Sequence, residues 1–195
     1  MKRIALKVIL GIAAFAAFTL SQGTTATAAS SQQIDLDAKK ALENLYAKSP
    51  SAKTMGEKAA AILVFPAIVK NGFIVGGQYG EGALIKGGRT VAYYNTIAAS
   101  YGLQAGLQKF GYALFFMTEP ALKWLDKSDG WEIGVGPSIV VVDVGAAAAM
   151  TSTTLQSDIY AFFFDQKGLM GGLGLQGTKI TKLDKALPFK DRTWL

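Results

Sequence analysis

The sequence predicts an α+β fold: a strongly curved antiparallel β-sheet or partial barrel with short helices, mainly N-terminal, packed against it. Apolar residues recur at helical spacing between residues 30 and 49, whereas residues 97–108 alternate with the period of two typical of a half-buried strand. Short turns separate the predicted strands, which favours antiparallel pairing. Glycines recur inside the strand patterns, which indicates tight curvature or the close approach of another segment.

The first 28 residues are predicted to be a signal peptide. Three bases, Lys2, Arg3 and Lys7, precede an apolar run of about 13 residues, shorter than the roughly 20 that a bilayer-spanning helix needs. Small residues follow, and cleavage is expected near Ala28. We therefore expect an exported protein of the periplasm or cell envelope, with an uncleaved N-terminal anchor as the alternative.

Two helices are predicted in the N-terminal helical segment, residues 29–58. Ser30 and Gln33 fit a capping box at the start of the first helix. Its apolar residues share one face: Ile34, Ala38, Ala41, Leu42 and Leu45. Ser49 and Pro50 then suit the N-cap and first position of a second helix, which ends near residue 58.

The period changes from residue 60 onward. Strands are predicted at 61–65, 73–79, 90–95, 97–108, 112–117, 131–143, 151–165 and 169–176. Pro66 is expected to end the first strand, turns are predicted at 70–72, 86–89 and 166–168, and a short helix at 118–125. The tail from Lys179 is predicted to be surface coil.

An aromatic row, Tyr160, Phe162 and Phe164, lies on one face of the predicted strand 151–165. Such a face must be covered by helices, by a partner or by lipid. Coverage by the protein's own helices is the favoured interpretation.

Composition argues against several function classes. The chain of 195 residues has a formal charge of +6, and without the three leader bases 17 bases face 14 acids, too few for a nucleic-acid-binding surface. The absence of histidine and cysteine excludes Ser-His-Asp and Cys-His catalysis and the usual zinc ligands. We expect no enzyme activity, no cofactor and no metal site.

Basic side chains are the candidate binding residues. The densest group is Lys53, Lys58, Lys70, Lys86 and Arg89, and Lys39 and Lys40 lie on the polar side of the first helix. These cations suit phosphate headgroups, and an amphipathic helix suits a membrane surface. Scattered solvated lysines, and a helix that simply packs on the sheet, remain the alternatives.

Residues 59–183 resemble the SYLF domain, a lipid-binding module. The matching segments are 60–66 (Ala-Ala-Ile-Leu-Val-Phe-Pro), 72–82, 101–106, 114–119 and 167–173, in the family's order and at about its spacing. The segment 91–95 departs from the Trp-Ser-x-Pro-like sequence that is common in the family. Residues 184–195 are predicted to form a C-terminal tail.

The resemblance implies binding of anionic phospholipid, with phosphoinositide-type headgroups in the eukaryotic relatives and a contribution from the N-terminal amphipathic segment. We expect the seven cations to hold headgroups at an anionic membrane surface of the cell envelope, and apolar helix residues to enter the interface. The alternatives are an envelope scaffold that binds another protein, or, more remotely, an outer-membrane β-barrel.

Overall fold

The computed structural model describes residues 29–127, 129–142, 156–168, 175 and 177–187, and for 73–75 and 100–106 it describes the backbone alone. The chain begins with two helices, α1 (Ser31–Lys48) and α2 (Pro50–Lys58). The Ser30 hydroxyl accepts a hydrogen bond from the Gln33 backbone amide, and the Ser49 hydroxyl accepts one from that of Ala52. Both predicted helix starts are therefore confirmed.

A long hairpin follows, formed by β1 (Ala61–Lys86) and β2 (Arg89–Phe116). Gly87 and Gly88 form its turn with φ of 57° and 77°, which a type I′ turn requires and glycine permits. The predicted turn at 86–89 is thus confirmed. The predicted strand end at Pro66 is wrong, because a register shift between Phe65 and Ile68 accommodates the proline inside β1. The predicted turn at 70–72 is also wrong, since these residues pair with β2.

The remaining elements extend the sheet from the second edge of β2. A helical turn, α3 (Glu119–Leu122), continues as a 3₁₀ helix (Lys123–Asp126), which confirms the predicted short helix. The strands are β3 (Trp131–Glu132), β4 (Ile139–Val142), β5 (Ile159–Gly168) and β6 (Lys179–Leu183). Their order is β3-β6-β2-β5-β4, and β1 pairs with β2.

Four strand predictions need correction. The pairing of β4 with β5 is parallel, although the other pairs among the described residues are antiparallel. Residues 131–143 do not form one strand, because turn and bend conformations separate β3 from β4. The tail after Lys179 pairs with β2 as β6 and is not coil, and β5 runs through the predicted turn 166–168. The predicted strand segments 151–155 and 169–174 lie outside the described residues.

The hairpin curls back on itself. The hydroxyls of Thr96 and Tyr112 are hydrogen-bonded at 2.8 Å, although sixteen residues of β2, about 50 Å of extended chain, separate them. A Cβ on Gly82 would overlap the Val64 carbonyl oxygen, so only glycine lets β1 pass this close to its own earlier segment. This curl confirms the predicted fold class, α+β with a strongly curved sheet and mainly N-terminal helices.

The two faces of the sheet bury separate cores. On the helix-side face, the apolar row of α1 packs with Tyr160, Phe162 and Phe164, so the protein's own helices do cover the aromatic row. On the inner face, inside the curl, Phe65, Tyr112 and Trp131 pack together. The apolar row of α1 is buried, which contradicts the expectation that it enters a membrane interface.

Candidate functional site

A cleft of about 410 Å³ opens where α1 crosses the sheet. Four elements line it: α1 with Asp37, Lys40, Ala41 and Asn44, β1 with Pro66 and Ala67, β2 with Lys109 and Phe110, and β5 with Asp165 and Lys167. Because three of these side chains are exposed lysines, we call it the lysine cleft.

Two backbone irregularities shape the lysine cleft. The register shift of β1 at Pro66 and Ala67 lies on one side of β2, and a shift of β5 opposite residues 109–111 lies on the other. Asp165 is in the second shift, with a φ of 50° that L-residues seldom adopt. Bulges of this kind re-aim side chains and are frequent next to binding sites.

Lys109 and Lys167 are direct partners across the antiparallel pair β2–β5. Directly opposed residues hold their Cβ atoms about 5 Å apart on the same face, and like charges in that position are destabilising. Lys40 reaches the same cleft from α1. Within the described part of the chain, none of these three lysines forms an ion pair. The protein therefore concentrates positive charge here at a cost in stability.

Two carboxylates share the cleft, and both have partners. Asp165 accepts a hydrogen bond from Lys48 Nζ at 2.8 Å, and Asp37 accepts one from Gln33 Nε2 at 2.9 Å. The Asp165 charge is thus balanced by a lysine outside the cleft. Among the lining residues the three lysines outnumber the acids, so the arrangement favours an anionic ligand over a cation.

The seven predicted cations do not form one site. Of these seven residues, only Lys40 lines the lysine cleft. Lys39 is paired with Asp35 at 3.0 Å, and Lys86 with Glu119 at 2.8 Å. Lys53 and Lys58 are exposed on α2, Arg89 is exposed at the hairpin turn, and Lys70 is buried on the inner face.

The sequence patterns did not indicate Lys109 and Lys167 as candidate binding residues. Lys109 lies two residues after Leu107. The alternation of residues 97–107 therefore places it on the same face of the strand as that apolar row. The sequence pattern predicts a turn at Lys167. In the structure this residue lies in β5, directly opposite Lys109. Only the pairing register brings the two together.

Residues 97–186 match the model of a protein family, Ysc84, described as Las17-binding protein actin regulator. This match agrees with the resemblance to the SYLF domain that the sequence shows. The SYLF match begins inside β2 and ends after β6, so it includes Lys109 and Lys167, whereas Lys40 precedes it. No curated protein matches the chain.

The family match indicates a binding role in general terms. In the described residues, no group of acidic side chains is arranged to hold a metal ion. No described helix has the length and apolar character needed to cross a bilayer.

Proposed function

We propose that this SYLF protein binds anionic phospholipid through the lysine cleft, at the cell envelope and without catalysing a reaction. The observation that carries the proposal is the direct opposition of Lys109 and Lys167, with Lys40 facing them across the cleft. A phosphate group relieves the repulsion between these cations by accepting charge-assisted hydrogen bonds from them. The family's lipid-binding character supports the same ligand class.

The number of cations agrees with a surface-binding role. Each lysine close to an anionic bilayer contributes about 1 kcal/mol, so three together supply moderate, salt-sensitive attachment. Lys40, Lys109 and Lys167 are exposed, so a headgroup reaches them without unfolding any described element. Lys70 is left out because it is buried, and Lys39 and Lys86 because acids already hold them.

Co-sedimentation with vesicles tests the proposal. The processed protein would be mixed with phosphatidylcholine vesicles with and without phosphatidylglycerol, at low and at high salt. We expect binding to the anionic vesicles only, weakened by salt because exposed charges are screened. Equal attachment, or equal lack of it, to both vesicle types would reject the proposal.

A matched pair of double variants locates the site. Lys109→Gln with Lys167→Gln removes two cleft cations and should weaken anionic-vesicle binding roughly 30-fold, the equivalent of about 2 kcal/mol. Lys39→Gln with Lys86→Gln removes the same charge from paired positions and should change binding much less. If both pairs weaken binding equally, general charge and not the lysine cleft is responsible.

A protein partner is the competing outcome. The family description names binding to a protein, and an envelope scaffold was the first alternative from the sequence. Crosslinking in intact cells distinguishes the two, since a scaffold gives one dominant protein adduct whose yield falls in the Lys109→Gln, Lys167→Gln variant. Lipid extraction and mass spectrometry of the purified protein would identify a bound headgroup.

Export is part of the proposal. The basic and apolar leader of residues 1–28 supports it, and residues 1–28 lie outside the described residues. N-terminal sequencing of protein from the envelope fraction should begin near residue 29. A chain that retains Met1 and fractionates with the cytoplasm would contradict it.

A further inference from the structure

Two exposed side chains of the hairpin next to the lysine cleft are large and apolar. Leu107 is 64% exposed and Val69 is 46% exposed, whereas Gln108, the next residue after Leu107, is fully buried on the inner face. At these positions the usual alternation is inverted, because apolar side chains meet solvent and a polar one is enclosed. Ile97, near the start of the same alternating row, is exposed as well.

The exposed aliphatic residues are continuous with the cations. Lys109 has two direct cross-strand partners, Val69 in β1 and Lys167 in β5. Leu107 lies two residues before Lys109 and therefore projects from the same face, about 7 Å away. Aliphatic and cationic side chains thus share one small surface, which suits the boundary between phosphate groups and acyl chains.

The first helix exposes a smaller apolar surface than the hairpin does. Its apolar row is enclosed against the sheet, and Leu36 is the one large apolar side chain that α1 exposes. Asp35, the residue before Leu36, accepts a hydrogen bond from Thr90 of β2, which holds this part of α1 on the sheet. Membrane insertion through α1 would therefore require opening a packed core.

We propose that Val69 and Leu107 enter the interfacial layer of an anionic bilayer while Lys109, Lys167 and Lys40 hold phosphate groups beside them. This inference rests on the proposed lipid-binding function and adds the docking face: the hairpin, with α1 remaining packed. Contact with the bilayer accounts for the exposure of Val69 and Leu107 beside the like-charged pair, since both features are satisfied by one amphiphilic surface.

Site-specific labelling tests the docking face. The chain has no cysteine, so a single introduced thiol is labelled uniquely with a fluorophore that brightens and shifts to the blue on leaving water. The test variants are Leu107→Cys and Val69→Cys. The matched controls are Leu36→Cys on α1 and Val141→Cys on the edge strand β4, which are 63% and 53% exposed. Each is measured with phosphatidylcholine vesicles with and without phosphatidylglycerol, and co-sedimentation is recorded on the same samples.

We expect emission from labels at 107 and 69 to rise roughly twofold or more with anionic vesicles, because the label enters the interface. Labels at 36 and 141 should change little. If the label at 36 responds and the label at 107 does not, while the protein still sediments with vesicles, the docking face is wrong and the lipid-binding function stands. If no variant sediments and the unlabelled protein does not either, the lipid-binding function itself is wrong.

An unlabelled variant provides an independent measure. Leu107→Ser removes an exposed side chain, so the thermal midpoint should not change, but anionic-vesicle affinity should fall roughly tenfold. Leu36→Ser is the control and should bind as the wild type does. Unchanged affinity in Leu107→Ser would overturn the proposal. It would also be overturned if the label at 107 is blue-shifted without vesicles and loses that shift on dilution, because this result indicates that a second copy of the chain covers the face.

Discussion

The two parts of α1 use their charged residues differently. Near its beginning, the buried Asp35 carboxylate accepts hydrogen bonds from Thr90 and Lys39, so this charge is satisfied inside the protein. One and a half turns later, Lys40 faces Lys109 and Lys167 across the lysine cleft, and within the described residues no acid pairs with any of the three. The first arrangement stabilises the fold, whereas the second is suited to an external anion.

The comparison teaches that exposure alone does not identify a binding cation. Lys39 and Lys40 are adjacent in sequence, and yet Lys39 pairs with Asp35 of the same helix, whereas Lys40 lines a cleft. The presence or absence of a carboxylate partner separates the two roles. Changes at the Asp35 end should affect stability, and changes at the cleft should affect vesicle binding.

The largest expected effect on stability is at the Asp35 end. Asp35→Ala removes a buried acceptor from Thr90 and Lys39 and should lower the free energy of unfolding by about 2–3 kcal/mol. Urea denaturation measures this change. Vesicle binding by the folded variant should be unchanged, and a parallel loss of binding with the fold intact would break the comparison.

Charge reversal in the cleft should give opposite effects on stability and on binding. Lys109→Glu places a carboxylate directly opposite Lys167 and should raise the free energy of unfolding by roughly 0.5–1 kcal/mol. The same change should weaken anionic-vesicle binding more than tenfold, because two units of charge are lost. Lys39→Glu is the control, and it should lower stability since Asp35 loses its cation. If Lys109→Glu lowers stability and leaves binding unchanged, the opposed lysines are not a binding feature.

The inner face offers a test of which side of β2 binds. Gln108 is fully buried, and neither side-chain amide atom has a hydrogen-bond partner within the described residues. Gln108→Met should therefore raise the free energy of unfolding by about 1 kcal/mol. Vesicle binding should be unchanged because Gln108 faces away from Lys109. Thermal denaturation and co-sedimentation together decide this, and a loss of binding would place the ligand inside the curl.

The smallest expected effect comes from the acid of the cleft. Asp165→Asn removes one negative charge beside Lys167 and should strengthen anionic-vesicle binding about two- to fivefold. Stability should fall by less than about 1 kcal/mol, because the Lys48–Asp165 pair is exposed. Co-sedimentation at several salt concentrations measures the change. The control Asp126→Asn, away from the cleft, should have no effect on binding.

Local patterns were good predictors of local structure. The helix starts at Ser30 and Ser49 and the hairpin turn at 86–89 follow from side-chain capping and glycine geometry, which depend on a few neighbouring residues. The length of β1 could not be predicted in this way. Pro66 and the 70–72 segment are ordinary breakers by sequence, but a register shift and pairing to β2 keep them in the strand.

The candidate binding residues show more clearly this difference between local and long-range information. Composition directed attention to lysines, but of the seven predicted cations only Lys40 lines the lysine cleft. Lys109 and Lys167 are 58 positions apart, and no local pattern relates them. The sequence also did not predict that Leu107 is exposed and Gln108 buried. Alternation shows that a strand has two faces, but it does not show which face is covered.

The helices, the hairpin turn, the α+β class and the SYLF resemblance could all be predicted, because periodicity, caps, turn glycines and family segments depend on short stretches of residues. Which lysines meet, which are paired with carboxylates and which face of β2 meets solvent became visible only in the folded chain. The physical reason is that charge pairing and burial depend on strand register and on the curl of the sheet, and both are set by packing between residues distant in the chain.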